Sequence, residues 1–410
     1  MTTSSPPSGP LPHLVPARVV TARNAVAVVF GLNGLAVASW FARVPAARQA
    51  LDLSAGRLGL LLLAMSGGAV LALTTAGALA HRWGTGPVVQ AGTLLVATGL
   101  VIVGTGIGVM HFVPVVAVGL FTLGYGSGTC DVAMNVEGAA VERLLGRTVM
   151  PRFHAAWSIG TVTGAGLGAA ASRTGVPMVA HLSVIAVVVL TGTLIAVRSF
   201  LAAEGIDATA VIEDTPGRSG VLAAWLEPRT LLIGLLVLVV AFTEGTANDW
   251  LALGFVDGYK VSDATGATVF GLFVAAMTTG RTVGTIALDR WGRVRVLLGT
   301  MLLAAAGAGV AVLAGSLPLA LAGVVLWGLG ASLGFPVGMS AAADEESRAA
   351  ARVSVVAVLG YTAFLAGPPL VGFLGNNYGV LRALLIVPVL LIPALALVPA
   401  ARPPAHPVPA

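Results

Sequence analysis

The chain has 410 residues, of which 57% are hydrophobic and only 10% are charged, and its formal net charge is +5. Soluble domains carry about 25% charged residues, so this composition excludes an ordinary water-soluble fold and indicates a protein that faces lipid. The positive charge forms no basic stripe or tail, which argues against nucleic acid as a partner. The single cysteine, Cys130, excludes an internal disulfide.

Twelve apolar stretches follow the N-terminal segment. Residues 1–18 are polar and rich in proline and serine, and we expect a disordered cytoplasmic segment without a cleaved signal peptide. A helix needs about 20 apolar residues to cross the hydrocarbon layer. We predict spans at 22–42, 56–79, 87–109, 114–138, 154–172, 178–198, 230–252, 266–288, 295–314, 317–340, 352–374 and 380–400.

These spans predict an all-α membrane protein with two six-helix bundles, at 19–198 and 230–400. Charged residues concentrate in the long connection 199–229, which we interpret as a cytoplasmic linker, and residues 401–410 are predicted to be a cytoplasmic tail. Short connections elsewhere predict that successive helices are antiparallel neighbours.

Basic residues predict the orientation in the membrane. With both termini in the cytoplasm, 15 arginines lie in inner segments and 6 basic residues in outer ones. Cytoplasmic loops carry the excess of Lys and Arg, so we expect a multi-pass protein of a bacterial cytoplasmic membrane with both termini inside. This orientation also predicts that Trp40 and Trp250 lie in an aromatic belt at the outer interface.

The two halves repeat each other at an offset of about 210 residues. Three patterns recur in register, namely GLxxxAMxxG at 59–68 and 271–280, RWG at 82–84 and 290–292, and LxxLGxxxG at 120–128 and 326–334. Two six-helix halves in parallel repeat are a known transporter plan, with the substrate site near the midplane where the halves meet. The repeat therefore predicts pseudo-symmetric bundles around a central site.

Over nearly its whole length the chain resembles the major facilitator superfamily. That family carries a cytoplasmic G-x-x-x-D-R-x-G-R loop between spans 2 and 3, echoed between spans 8 and 9. The matching positions are Gly77, His81, Arg82 and Gly84 in the first loop, and Asp289, Arg290, Gly292 and Arg293 in the second. The resemblance implies that both loops control the conformational change. His81 replaces the acid of the first loop, which puts the family's acid-to-helix brace there in doubt.

Two further segments narrow the resemblance. DVAMNVE at 131–137 and PRFHAAWS at 151–158 resemble the bacterial YbjJ-type branch. More distantly, the chain is similar to the fucose–proton symporters, which carry an acid four residues before an asparagine in span 4. Those symporters also have an acid in span 1, where this chain has Asn33. A fucose assignment therefore does not follow.

Two carboxylates lie in the middle of predicted spans. A charged side chain at the bilayer centre costs about 2.5–3.5 kcal/mol on insertion scales, so its presence indicates a function. Asp131 in span 4 and Glu244 in span 7 are each followed four residues later by an asparagine, Asn135 and Asn248, on the same helix face. We predict that both carboxylates are proton-coupling sites. The alternative is a fixed ion pair that holds helices together.

Arg281 is the one arginine or lysine that lies away from the ends of a predicted span. It either binds substrate or pairs with Glu244 or Asp131, as a permanent counter-ion or as one that protonation releases. The remaining substrate-binding candidates are polar residues of the predicted spans, namely Asn33, Asn135, Asn248, Ser158 and Tyr361.

The sequence contains no P-loop, zinc motif or nucleophile elbow. We therefore expect no cofactor, no metal and no enzymatic activity. The prediction is a monomeric secondary transporter that moves a small polar solute, sugar-like or an organic metabolite, by alternating access coupled to protons. The alternatives are a proton-antiport exporter of drugs or metabolites and, ranked lower, a membrane sensor that does not transport.

Overall fold

The computed structural model describes residues 17–146, 149–201, 218–345 and 348–403, which form helices joined by short turns. Seven α-helices make up the first half: α1 (Ala17–Phe41), α2 (Val44–Ala50), α3 (Ala55–Trp83), α4 (Thr85–Thr105), α5 (Val113–Leu145), α6 (Met150–Arg173) and α7 (Met178–Ala196). A π-helical turn, Gly106–Met110, extends α4. A short 3₁₀ turn, Val197–Ser199, extends α7.

The second half repeats this order with more breaks. Its helices are α8 (Arg218–Trp225), α9 (Pro228–Tyr259), α10 (Asp263–Leu313), α11 (Leu317–Ala331), α12 (Gly334–Ala342), α13 (Ala349–Tyr378), α14 (Val380–Ala383) and α15 (Ile386–Ala394). A 3₁₀ segment, Leu395–Ala401, completes the last span.

Ten helical segments in the described part of the chain are long and apolar enough to cross a membrane. One of them is α10, whose 51 residues would extend about 77 Å, more than twice the hydrocarbon thickness. Gly292 interrupts α10 with φ 74° and ψ 157°, so α10 consists of two spans. The 24-residue α6, rich in glycine and polar residues, adds another. The total is compatible with the predicted twelve, and the all-α membrane fold is confirmed.

The helices extend beyond the predicted spans because hydropathy reports only the part of a helix that lies in hydrocarbon. Helix α5 continues to Leu145, where Gly146 adopts φ 62° and ends it. Helix α9 continues to Tyr259, seven residues past the predicted end. Helix α8 lies within the predicted linker 199–229. The predicted disordered N-terminus up to residue 16, residues 202–217 of the linker and the tail from residue 404 lie outside the described residues.

The repeat is preserved in backbone conformation. Gly84 has φ 82° and ψ 161°, and Gly292, the equivalent residue of the second half, has φ 74° and ψ 157°. Positive φ of this kind favours glycine, which has no Cβ. The residue after each glycine binds an acid near the end of the fourth span of its half. Thr85 donates to Glu137 at 2.6 Å, and Arg293 forms an ion pair with Asp344.

Helix α1 begins and the final 3₁₀ segment ends at the same end of the bundle. We call this end the terminal face and the opposite end the far face. Three polar contacts join the two halves within the described residues, and all lie at the far face. Arg48 forms an ion pair with Asp257, and Gln49 donates to Asp263 at 3.1 Å. The backbone N–H of Gly56 donates to Asn376 at 3.0 Å. The halves are therefore tethered at the far face.

The prediction that Trp40 and Trp250 lie in an aromatic belt at the far face is wrong. Trp40 and Trp250 are both 0% exposed, and both pack inside the helix bundle. At the terminal face, Trp83 and Trp291 are 55% and 56% exposed. At these two positions, packing between helices overrides the interfacial preference of tryptophan.

Small residues set the distance between α1 and α6. A Cβ atom added to Gly160 would lie 1.9 Å from the carbonyl oxygen of Gly31, so these helices meet backbone to backbone. We expect Gly160→Ala to lower the free energy of unfolding by about 1–3 kcal/mol, because α1 and α6 must separate. Thermal unfolding of the purified protein measures this loss.

Gly166 on the same helix is the matched control, because an added Cβ there meets nothing within 4 Å. Gly166→Ala should leave the unfolding temperature unchanged or raise it slightly, since alanine favours helix. Equal unfolding temperatures for the two variants would contradict the close packing of α1 and α6.

At the terminal face, Glu227 joins α9 to the start of α13. Arg352 donates to its carboxylate at 2.6 Å, Arg348 at 2.9 Å and Thr230 at 2.9 Å. The hydrogen bond from Arg352 is the main reason that the pKa of Glu227 lies below its usual value, and the bonds from Thr230 and Arg348 lower it further.

A depressed carboxyl pKa stabilises the fold above the unfolded pKa of about 4.3, and that stability is lost as the pH falls through the folded pKa. We expect Glu227→Gln to unfold at a lower temperature than the wild type at neutral pH. The difference should shrink as the pH falls from about 4.3 through the folded-state pKa of Glu227, because below that pKa both proteins carry a neutral side chain at this position. Unfolding temperatures across a pH series check this, and a constant difference would contradict it.

Candidate functional site

A cavity of about 290 Å³ lies between the two halves. Helices α1, α3, α5 and α6 line it from the first half, and α9 and α13 from the second. The lining residues lie deeper in the bundle than the far-face contacts. A larger depression, about 690 Å³, surrounds the Arg48–Asp257 pair at the far face, away from the centre of the bundle.

Two carboxylates face the central cavity, one from each half. Asp131 belongs to α5 and Asp249 to α9. Asp131 lies 14 residues, or about 21 Å, before the end of α5, and Asp249 lies 10 residues, or about 15 Å, before the end of α9. Neither takes part in any ion pair of the described residues.

The rest of the lining combines aromatic rings with small polar groups. The aromatic residues are Phe41, Trp157, Tyr361 and Phe364, and the uncharged polar residues include Ser66, Ser127 and Asn248. The rings of Tyr361 and Phe364 lie 6.4 Å apart, centroid to centroid, and form one wall of the second half. Apolar surface with a few polar groups is the usual composition of a small-molecule site.

Glu244 and Arg281 form a bidentate ion pair beside the cavity. The Nη2 atom of Arg281 donates to both carboxylate oxygens of Glu244, at 3.0 and 2.9 Å. Its Nε atom donates to the carbonyl oxygen of Ser332 at 3.3 Å, where α11 ends. The pair links α9, α10 and the α11–α12 junction within the second half. Neither side chain is among the lining residues, and the structure pairs Arg281 with Glu244 rather than with Asp131.

The other predicted polar residues lie at different depths around the cavity. Asn248 and Tyr361 line it directly. Asn135 donates to the carbonyl oxygen of Asp131 at 2.7 Å and to its carboxylate at 3.3 Å. Asn33 is buried behind the wall and donates to the carbonyl oxygen of Ser127 at 3.3 Å. Ser158 is buried in α6 and does not line the cavity.

Sequence reasoning missed Asp249. The predicted seventh span ends at residue 252, which places this aspartate close to the outer surface. Because α9 continues to Tyr259, Asp249 lies inside the bundle. Gly245, four residues earlier and also in the lining, marks the face of α9 that looks into the cavity. Gly245, a small residue four positions before Asp249, was the sequence signal that could have identified Asp249 as a cavity residue.

The predicted gating loops lie at the terminal face. Gly77 and His81 of the first loop and Asp289 of the second are exposed. Arg82 and Arg290 are also exposed and form no ion pair in the described ranges. The Arg293–Asp344 pair is the strong electrostatic contact of this region, and Arg229 reinforces it by donating to Asp344 at 2.7 Å.

The Glu244–Arg281 pair can be tested by a double-mutant cycle. Arg281→Gln and Glu244→Gln should each lower the unfolding temperature, because each leaves a partly desolvated charge without its partner. The double variant should unfold above the worse single variant, since neither charge remains. Additive losses in the purified proteins would show that the two side chains are not coupled.

Solved transporters share this architecture. The crystal structure of a bacterial homologue of the human lysosomal transporter Spinster, inward-facing and unoccupied, superposes with a TM-score of 0.75 at 13% identity, over 94% of this chain and 98% of that one. The fucose:proton symporter FucP of E. coli superposes with a TM-score of 0.64 at 15% identity, over 94% and 99%.

Sequence relatives identify the family. The Major Facilitator Superfamily profile matches residues 233–410. The transporter y4wD of Sinorhizobium fredii is 32% identical over 361 residues, 88% of this chain and 92% of its own length. An MFS-type transporter of Yersinia pestis is 30% identical over 352 residues, 85% of this chain and 88% of its own length. With its membrane-spanning helices in two halves around a central cavity, this chain belongs to the major facilitator superfamily and is a membrane transporter of that type.

Proposed function

We propose that the protein is a secondary active transporter for a small polar solute, sugar-like or an organic metabolite, and that Asp131 couples transport to protons. The observation that carries the proposal is a carboxylate in the central cavity, contributed by the middle of α5, with no cationic partner among the described residues. An ionised carboxylate at this depth costs about 2.5–3.5 kcal/mol on insertion scales, and protonation removes that cost.

Cavity dimensions support a small solute. A volume of about 290 Å³ lies at the lower end of ligand-binding pockets, which span about 300–1,000 Å³. Asn248, Ser127 and Tyr361 supply hydrogen-bonding groups, while Trp157 offers a ring on which a solute can stack. Lining residues from both halves fit a carrier whose halves move relative to each other around the solute.

The orientation follows from the basic residues of the loops. We place both termini in the cytoplasm of a bacterial cell, with the protein in the cytoplasmic membrane. The far face is then the external side. The Arg48–Asp257 contact and its neighbours therefore close the carrier toward the outside, with the cavity on the cytoplasmic side of that closure.

Glu244 has a second role in this scheme. Its carboxylate is neutralised by Arg281, so it contributes no free negative charge to the cavity. Protonation of Glu244 would release Arg281, whose Nε atom also binds the carbonyl oxygen of Ser332 at the start of the α11–α12 break. We infer that Glu244 is a second proton site and that it acts on the shape of the second half.

Transport can be measured before the solute is identified. Proteoliposomes with an imposed pH gradient, acidic outside, are incubated with a defined mixture of sugars, organic acids and amines. Mass spectrometry then identifies compounds that accumulate relative to protein-free vesicles. We expect Asp131→Asn to abolish gradient-driven accumulation of the transported compound, because the variant carries no proton. Exchange of the same compound between the two sides should persist.

Asp52→Asn is the matched control, since Asp52 lies in an exposed turn at the far face and asparagine tolerates its left-handed backbone. This control should accumulate the compound like the wild type. If Asp131→Asn retained both accumulation and its pH dependence, the assignment of proton coupling to Asp131 would be wrong.

A further inference from the structure

The charged residues that line the cavity restrict the charge of a solute that can bind there. Asp131 and Asp249 are the charged residues among its described lining, and no arginine, lysine or histidine contributes to it. Arg281, the arginine in the interior of the first span of α10, donates to both carboxylate oxygens of Glu244. An empty cavity therefore holds two negative charges and no positive charge when both aspartates are ionised.

The cavity also has an aromatic lining. Trp157, Tyr361, Phe41 and Phe364 contribute four rings to a cavity of about 290 Å³. The face of an aromatic ring is electron-rich and attracts cations, most strongly at sites without water. Carboxylates together with aromatic rings recognise ammonium groups, whereas an anionic solute would meet two like charges without a counter-ion.

The two carboxylates have different surroundings. Asp131 already accepts a hydrogen bond from Asn135 at 3.3 Å, and Asn135 also holds the backbone of the same helical turn. Asp249 has no hydrogen-bond partner in the described part of the chain, and Asn248 lies beside it in the lining. Asp249 is therefore the carboxylate with its full acceptor capacity open to a solute.

From this arrangement we propose that the transported solute carries one positively charged amine, which binds to Asp249. This assignment rests on the proposed function, and it gives each carboxylate one positive partner: a proton at Asp131 and the amine at Asp249. The loaded cavity then has no net charge. Neutrality matters because the halves reorient around the cavity inside a medium that penalises uncompensated charge.

Matched probes test the charge of the solute directly. One set is D-glucosamine, D-glucose and D-glucuronate, and a second is serinol, glycerol and glycerate; each set keeps one skeleton and changes the charge. Thermal unfolding of the purified full-length protein is measured against the concentration of each probe at neutral pH, where the amines carry a proton and a carboxylate can be ionised. Ligands that bind the folded state stabilise it by an amount that grows with the logarithm of the ratio of ligand concentration to Kd, so tighter binding gives a higher unfolding temperature.

We expect an amine to bind at least tenfold more tightly than its neutral counterpart, and the anions to bind more weakly still. Asp249→Asn should remove the preference for the amine, whereas the exposed Asp52→Asn should keep it. The inference is overturned if no amine stabilises the protein more than its neutral counterpart, or if Asp249→Asn retains the preference.

The two proposals fail in different experiments. A carrier that accumulates a neutral solute with a proton gradient would overturn the amine assignment and leave the proposed function intact. A protein that binds amines through Asp249 but shows no gradient-driven accumulation would overturn proton coupling and leave the charge preference intact.

Discussion

The hydrocarbon core of a bilayer offers no hydrogen-bonding partner, so each backbone N–H and C=O in it must be satisfied within the chain. Helices meet this requirement locally, and every described span of this protein is helical. The requirement also removes the hydrophobic effect as a force between helices, because lipid tails are as apolar as leucine side chains. Close van der Waals packing must therefore hold the bundle together. Contacts such as Gly160 against Gly31 show how glycines at helix crossings provide it.

The bilayer also determines where charged side chains can lie. Most charged residues of the described chain lie at the two faces, where water reaches them, and Glu227 and Asp344 there collect arginines from several helices. Inside the bundle, Glu244 and Arg281 neutralise each other. Asp131 and Asp249 are the exception, because both are interior and both face a cavity instead of a cation. This position distinguishes the two aspartates from the charged residues that join helices.

Fold and site differ in how far the sequence predicts them, and the reason is physical. The length of an apolar stretch and an internal repeat are properties of whole segments, so the sequence alone predicts the spans and the two bundles. Asp131 was recognisable because it interrupts an apolar run far from either end. The direction in which a side chain points depends on a few residues and on where the helix ends. Helix α9 continues seven residues past the predicted end of the span, so Asp249 lies in the cavity and not at the surface, where the sequence placed it. Glu244 lies on a neighbouring face of the same helix, paired with Arg281.

The polar contacts at the far face add only modestly to the packing that holds the two halves in the closed arrangement. Three polar contacts join the halves there, and exposed contacts of this kind contribute about 0.5–1.5 kcal/mol each. Their sum is of the same order as the difference in free energy that separates a minor from a major conformation in many proteins, a few kcal/mol. A bound solute that prefers one arrangement tenfold shifts the balance by about 1.4 kcal/mol. The polar part of this closure is therefore comparable in free energy to the effect that a bound solute can have on it.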